Sequence, residues 1–548
     1  MNGPDSIDVE TLVRCFLETH GIEASSISLR TYPEETIIVL EVPEAYAQQA
    51  VSLSSSLEDQ LPPAHLVVIR SATVNTVQDS SSVKTVADPK VSRLIELLNE
   101  RSRTSEQQPS LQYIRDAAEN LRIAVTKRHH IVFGRRGVGK TALLLEAKRQ
   151  IEENDGICMW VNVQILRGLG APAAFLTIVK RICELPAIVH YRKPNLPQSR
   201  AVASKIMKWA QQLLQQVSVS ADQAGALVPE VQRLATLLTA ELQSDLYIFL
   251  DDFHYLGIED QPKFLDLLHG MTRDTASWIK LAGIRNQCRV FQSDPPIGMQ
   301  IGHDAAVIPL DITLEDPQKA RQFLSDVLET YLTAAGIPNR SGVLSGGALD
   351  RLVLASAGVP RDFLILTGRS IQIARQRENA RIVGTQDVNE AAGEAGAQKL
   401  SELEDDAASA TGRAQIRLKA MDLVRSFAIQ EHHHSFFRIN FRDKAERAEE
   451  YALLQSLMDL RMIHLVKGSL SEAHEAGEKS EVYMIDLSEY SGSRLKKDIS
   501  VIELQGDTLV LRKTGEQGSK VVADTPRKLV QIFRTGPELQ LQTFSNLL

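Results

Sequence analysis

The sequence predicts an α/β chain: a parallel sheet covered by helices, preceded by a small α+β module and followed by a helical lid and a winged-helix domain. Three observations carry this. Between Val91 and about Leu310, apolar strands alternate with helical segments, the pattern of a parallel sheet with helices on its faces. The strand HHIVF runs directly into a glycine-rich loop and a good helix former. After Leu310 the strands stop, and helical periodicity takes over until about Ala397.

The bulk composition sets the frame. At 548 residues the chain is several times the usual domain size, which implies three or four domains. Apolar residues at 43% and charged residues at 24% exclude a wholly disordered or fibrous protein. A net charge of -8 gives no overall attraction to nucleic-acid phosphates or anionic lipid, so either would have to be bound by a local patch. Cys15, Cys158, Cys183 and Cys288 stand far apart with no CxxC pair, so neither a zinc site nor a disulfide framework is indicated. The acidic N-terminal stretch has no secretory signal pattern, and no apolar run reaches membrane-span length; a reducing, cytoplasmic setting is the expectation.

Along the chain, residues 1–74 read as the α+β module, with ETIIVLEV and HLVVIR as strands, and 75–90 as a Ser/Thr/Asp-rich linker. The core, 91–312, has predicted strands at HHIVF, ICMWVNV, LYIFL, WIKLAGI and AAVIPL, with a mostly helical insertion between the second and third. Residues 313–400 form the helical lid, closed by the polar break SELEDDAASATG. A domain over 413–490 starts with a helix presenting Ile416, Ala420, Leu423, Val424 and Phe427 on one face, and ends in two strands, a winged-helix pattern. The remainder, 491–548, contains a hairpin turning at Gly506-Asp507. No fixed-period repeat is present.

The chemistry lies in two motifs. GxxxxGKT spans Gly134, Arg135, Arg136, Gly137, Val138, Gly139, Lys140 and Thr141, with Ala142 opening the helix behind it. In such a loop, successive backbone N–H groups point at phosphate oxygens and the helix N-terminus adds its positive end. Lys140 is placed to reach the β and γ phosphates, and Thr141 to offer its hydroxyl to Mg²⁺. The second motif is LYIFLDD, an apolar strand ending in Asp251 and Asp252 at the strand end where open α/β sheets bind ligands. Asp251 is expected to hold the Mg²⁺ shell and Asp252 to orient or deprotonate the attacking water, so ATP and Mg²⁺ are the expected cofactors of a P-loop hydrolase.

With both motifs in place, the stretch from roughly Ser110 to Tyr490 resembles the AAA+ and related STAND ATPases, above all the origin-recognition and replication-licensing branch. The resemblance implies a sensor at Arg285 or Asn286 in AGIRNQ, and a second sensor at Arg361 in AGVPRDFLIL. It also implies a winged helix directly after the lid. Two departures are visible: Asp252 stands where initiators usually carry Glu, and only Arg273 and Arg289 offer themselves as an arginine finger.

Two readings of function follow. In one, the ATPase drives duplex DNA binding or remodelling through the winged helix, with Arg438, Arg442, Lys444 and Arg447 as contacts. Between Ala414 and Lys467, however, nine basic residues face seven acidic ones, so no basic stripe exists there. His432, His433 and His434 read as a surface tract, since adjacent residues cannot converge on one metal. In the other reading, the chain is a STAND-like switch that controls assembly with a protein partner or with itself, as in phage-defence or mobile-element systems, with the winged helix as interaction module. No membrane partner is expected.

Overall fold

A computed structural model describes residues 9–22, 24, 26–31, 36–62, 65–72, 83, 85–100, 113–114, 119–190, 197–409, 412–471, 478–492, 495–515 and 518–548. Most of the expected linker, the loop at 191–196 and residues 410–411 of the polar break lie outside them. The chain divides into two compact units, 1–81 and 82–548.

In the first unit, the strand Thr36–Pro43 pairs antiparallel with Ser26–Thr31 and parallel with His65–Ala72. The helix Val9–Thr19 turns Val13, Phe16 and Leu17 onto the Ile38, Leu40 and Val42 face of this sheet. That 3.6-against-2 matching of periods is what the sequence pattern encodes.

The second unit is built on five parallel strands: β1 (His130–Phe133), β2 (Ile157–Asn162), β3 (Leu246–Asp251), β4 (Ser277–Gly283) and β5 (Ala306–Pro309), in the order β5-β1-β4-β3-β2. Every residue of β3 is buried, as expected of a central parallel strand covered on both faces. Alternation sorts the side chains: Ile248 and Leu250 enter one apolar layer with Ile131 and Ile279, while Tyr247 and Phe249 enter the other with Val132 and Ala282. The first layer is covered by the insertion helices Ala171–His190, Pro197–Leu214 and Val228–Leu242; the second by α1 (Lys140–Glu153).

The helices Pro317–Ala334, Gly346–Ser356, α2 (Pro360–Gln376) and Thr385–Ser409 follow the sheet. Two expectations are corrected. The last of these helices runs through most of the polar break, because its Ala, Glu, Asp and Leu residues are compatible with helix once a neighbouring element packs on it. The helix Pro89–Glu100, expected in the ATPase core, instead buries Val91, Leu94 and Leu98 against α2 of the lid.

Residues 412–490 run helix (Gly412–Arg425), strand (Phe436–Asn440), short helix (Phe441–Glu446), helix α3 (Ala448–Asp459) and strands Ile463–Ser471 and Lys479–Ile485. Their antiparallel sheet has Lys479–Ile485 in the middle. The chain closes with strands Ser500–Gln505, Thr508–Gly515 and Gly518–Ala523 and the helix Pro526–Thr535. The hairpin turns at Gly506, φ 60°, a left-handed conformation that glycine adopts without strain. Lid, α3 region and final sheet share one continuous apolar core. Among the described residues, no helix is long and apolar enough to cross a membrane.

Candidate nucleotide site

The P-loop joins β1 to α1. Gly137 at φ 83° and Gly139 at φ 101° take conformations that side-chain-bearing residues rarely adopt. A Cβ on Gly134 would stand 2.7 Å from Val138, so the loop's close wrap also depends on that glycine. Lys140 is buried and its Nζ donates to the carbonyls of Gly134 (2.8 Å) and Arg135 (2.9 Å), holding the loop against its own cation. Burial pulls the Lys140 pKa down, and Asp252, Asp311 and Asp251 push it back.

Beyond β3, the Thr141 hydroxyl donates to Asp251 Oδ2 at 2.8 Å, and Asp251 Oδ1 accepts the Asp252 N–H at 3.0 Å. Burial, then the nearby Asp252, raise the Asp251 carboxyl to about 6. Asp252 itself sits at φ 57°, a left-handed backbone that turns the chain off the strand and costs of order 1–3 kcal/mol. The strained acid stands at the C-terminal strand edge, where strain is commonly retained for function.

β4 lies between β1 and β3 and delivers a 3-10 turn, Arg285–Gln287, to the same edge. Arg285 and Asn286 are exposed there, and the Arg285 guanidinium lies 5.5 Å from the centre of the Phe133 ring, the last residue before the P-loop. On the lid side, the Arg361 N–H donates to Gly137 O at 3.3 Å, and a Cβ on Gly137 would meet Arg361 Cβ at 2.9 Å. The lid is thus seated directly on the phosphate loop. Of the two finger candidates, Arg289 pairs with Glu259 at 3.3 Å, whereas Arg273 caps the helix leading into the N-terminal end of β4, the opposite edge of the sheet.

Several participants were not foreseen. Arg135, expected only as part of the phosphate loop, turns into the protein: its guanidinium donates to Asp311 Oδ1 (3.1 Å) and to the carbonyls of Ile312 (2.9 Å) and Ala357 (3.1 Å). It joins the P-loop, the core-to-lid connection and the lid. Two residues past Asp252, His254 carries a buried Nδ1 with no hydrogen-bond partner among the described residues; burial lowers its pKa to about 4, and Asp252 opposes that. The DDFH string could have flagged it. No sequence signal points to the remaining pair. Gln287 Nε2 donates to Asp459 Oδ2 at the end of α3 (3.3 Å), and Arg461 pairs with Asp362 beside Arg361. Burial raises Asp459 to about 6.

The proposed DNA contacts are placed differently from expectation. Arg438 pairs with Glu538 (2.7 Å), Lys444 with Glu481 (2.7 Å) and Arg447 with Asp443 (3.3 Å), while only Arg442, paired with Glu446, is largely exposed. Tyr451 and Tyr483 also donate to Glu481, at 2.8 and 2.6 Å, so Lys444 belongs to a buried network. The histidine tract is tied to the final sheet through the His433 carbonyl, which accepts the Ser500 N–H. Among the described residues, no group of three or more His, Cys, Asp or Glu could hold a metal ion.

A five-stranded parallel sheet with a phosphate loop after β1 and paired acids at the end of β3 is the architecture of a P-loop nucleotide-binding domain. Residues 106–279 match the family model described as an AAA ATPase domain. No curated protein matches the chain. Solved structures that share similarity include the Orc1 protein of Aeropyrum pernix in complex with DNA, with 16% identity over 72% of this chain and 93% of that one, TM-score 0.37. Cdc6p of Pyrobaculum aerophilum shows 14% identity over 69% and 92%, TM-score 0.32. The Walker-type ATPase PABY2304 of Pyrococcus abyssi shows 13% over 72% and 98%, TM-score 0.40. Residues 106–279 therefore match an AAA ATPase domain, and such a domain implies nucleotide binding.

Proposed function

We propose that this protein is an ATP hydrolase that works as a nucleotide-controlled switch, in which the state of the bound phosphate chain is read by the lid and by the domain at 412–490. The observation that carries this reading is the seating of the lid turn on Gly137 together with the Arg461 to Asp362 pair one residue further on. Phosphate loop, lid and C-terminal domain form one contact chain.

In this reading, Gly134 to Ala142 cradle the phosphates and Lys140 neutralises them. Thr141 and Asp251 hold Mg²⁺, whose chemistry is to bridge phosphate oxygens and offset developing charge. The open positive-φ glycines and the hydroxyl-to-carboxylate pair suit those ligands. Asp252 orients or deprotonates the attacking water, while Arg285 and Arg361 sense the γ-phosphate. A ligand shifts such a switch only through differential contact with its two states.

The domain at 412–490 is proposed as a winged helix, on its helix-strand-helix-helix-strand-strand order and three-stranded sheet. Its basic segment faces acids, which favours a role in contacts with protein over a grip on duplex DNA. Asp459 and Arg461 place its α3 end on the sensor turn and the lid, so a partner that pulls this domain away would alter the nucleotide site.

Limited proteolysis of the full chain with ATP, ADP or no nucleotide tests the reading, alongside steady-state hydrolysis with and without duplex DNA. The expected result is an ATP-specific protection pattern that Arg361→Ala abolishes, and faster cleavage between lid and C-terminal domain in Arg461→Ala. Identical patterns in all three states would sink the switch. DNA stimulation lost in Arg442→Glu would restore the DNA-driven reading.

A further inference from the structure

Away from the nucleotide site, a cleft of about 640 Å³ opens where α2 of the lid ends, lined by Arg375, Arg377, Arg381, Asn379 and the segment Thr85–Ala87. We propose that it is a second anion site, specific for phosphate groups carried by a polyphosphate or by a nucleic-acid backbone.

The three guanidinium groups are held in different ways. Arg375 Nε donates to Val86 O (2.7 Å) and its Nη2 to Ser92 Oγ (3.0 Å), so this side chain is fixed by the chain segment that forms the opposite wall. That segment is itself anchored, since the Val86 N–H donates to Arg381 O at 2.9 Å. Arg377 is fixed by Asp387 at 2.6 Å, and Asp387 is buried and also accepts the Gly384 N–H. Arg381 is exposed, and its guanidinium has no hydrogen bond or ion pair among the described residues. Among the described residues the lining itself holds these three arginines and no carboxylate; Asp387 pairs with Arg377, and Asp88 beside the wall segment accepts from the Lys90 N–H at the start of its own helix.

Two arginines fixed by hydrogen bonds and one open to solvent make a site whose ordering cost is largely met before a ligand arrives. Planar guanidinium forks match phosphate oxygens in geometry as well as charge. The volume falls in the usual range for small-ligand sites, about 300–1,000 Å³. Among the described residues the lining contains no aromatic side chain on which a base could stack, so recognition would stop at the phosphates and be indifferent to base identity. The C-terminal end of α2 attracts basic residues in any case, which accounts for Arg375 and Arg377 but not for the open Arg381 opposite the wall formed by 85–87.

The test uses the full chain carrying Lys140→Ala, which removes the P-loop as a competing phosphate site. Fluorescein-labelled single-stranded DNA of 12 nucleotides and sodium tripolyphosphate are titrated separately, with Arg381→Glu and the milder Arg381→Gln as variants and Arg527→Glu, exposed elsewhere, as control. The expected result is salt-sensitive binding weakened about tenfold by Arg381→Glu and less by Arg381→Gln, with the control unchanged. Loss confined to the DNA probe identifies a nucleic-acid backbone as the ligand, and loss confined to tripolyphosphate identifies a free polyphosphate. Affinities for both probes that do not change when Arg381 is reversed, or no binding of either probe, would overturn the proposal.

Discussion

Two lysines are buried at opposite edges of the same sheet, and their surroundings differ. Lys140, at the C-terminal edge, donates to two loop carbonyls and stands among Asp251, Asp252 and Asp311. Lys280, in β4, donates to the carbonyls of Thr126 (2.6 Å) and Arg128 (3.0 Å) and meets His130 Nδ1 at 2.9 Å, with no carboxylate beside it among the described residues. Burial therefore lowers Lys280 to about 7, while three acids oppose the same effect at Lys140. The hydrogen-bond count is similar; the counter-charges set Lys140 apart, in keeping with its proposed role toward phosphate, whereas Lys280 is a strut.

The largest expected effect separates their roles. Lys140→Ala should cut ATP hydrolysis by roughly 10²-fold or more, since a positive group aimed at developing charge is lost. Lys280→Met should leave turnover per folded molecule intact. Phosphate release normalised to folded protein measures both, and a folded Lys280→Met protein without activity would break the division.

Next comes stability. Lys280→Met strips donors from two buried carbonyls and a histidine, and should cost about 1–3 kcal/mol at pH 7 in urea unfolding. The pH dependence sharpens the comparison. With Lys280 near 7 in the folded chain and 10.5 as its ordinary value, the unfolded chain holds the extra proton between those limits. Wild-type stability therefore rises with pH across that window, and the gap to Lys280→Met should widen between pH 7 and pH 9. A constant gap would mean that Lys280 is not depressed.

The smallest effect concerns the histidines beside that strut. Burial, foremost, holds His129 near 4 and His130 near 3, and His129 Nδ1 accepts the Ile279 N–H at 2.9 Å. Both stay neutral in the folded chain while the unfolded chain takes up protons below 6.5. The contribution of each is complete above that pH and is lost as pH falls toward 4, by roughly 1–2 kcal/mol per histidine between pH 6.5 and 5. Asp251, raised to about 6, acts in the opposite direction over the same window. A thermal-melt series in Asp251→Asn, which removes that offset, should show the steeper acid loss.

The sheet was legible because its strands are apolar runs bounded by loops: LYIFL becomes β3 and WIKLAG falls within β4 almost residue for residue. Gly134 to Thr141 and the Asp251 to Thr141 contact were equally open to reading, because the motif itself specifies a strand, a loop and a helix. The acidic partners of the basic segment at 438–447 were not legible in the sequence. Glu481 lies 37 residues from its partner Lys444 and Glu538 lies 100 residues from its partner Arg438, and no local pattern announces them. The inward turn of Arg135 was hidden for the same reason, since Asp311, Ile312 and Ala357 come from two distant segments.

The sequence by itself thus determined the local instructions: strand periods, glycines at positive φ, a lysine and a threonine at fixed spacing, and an acid pair ending an apolar strand. Only the tertiary structure decided which charges are free to act. Arg438 and Lys444 are spent on carboxylates, Arg381 faces an open cleft, and Arg461 reaches the lid beside Arg361. The physical reason is range. Backbone preferences are set by neighbours along the chain, whereas the fate of a charge is set by whatever folding brings within a few ångströms and by how much water it removes.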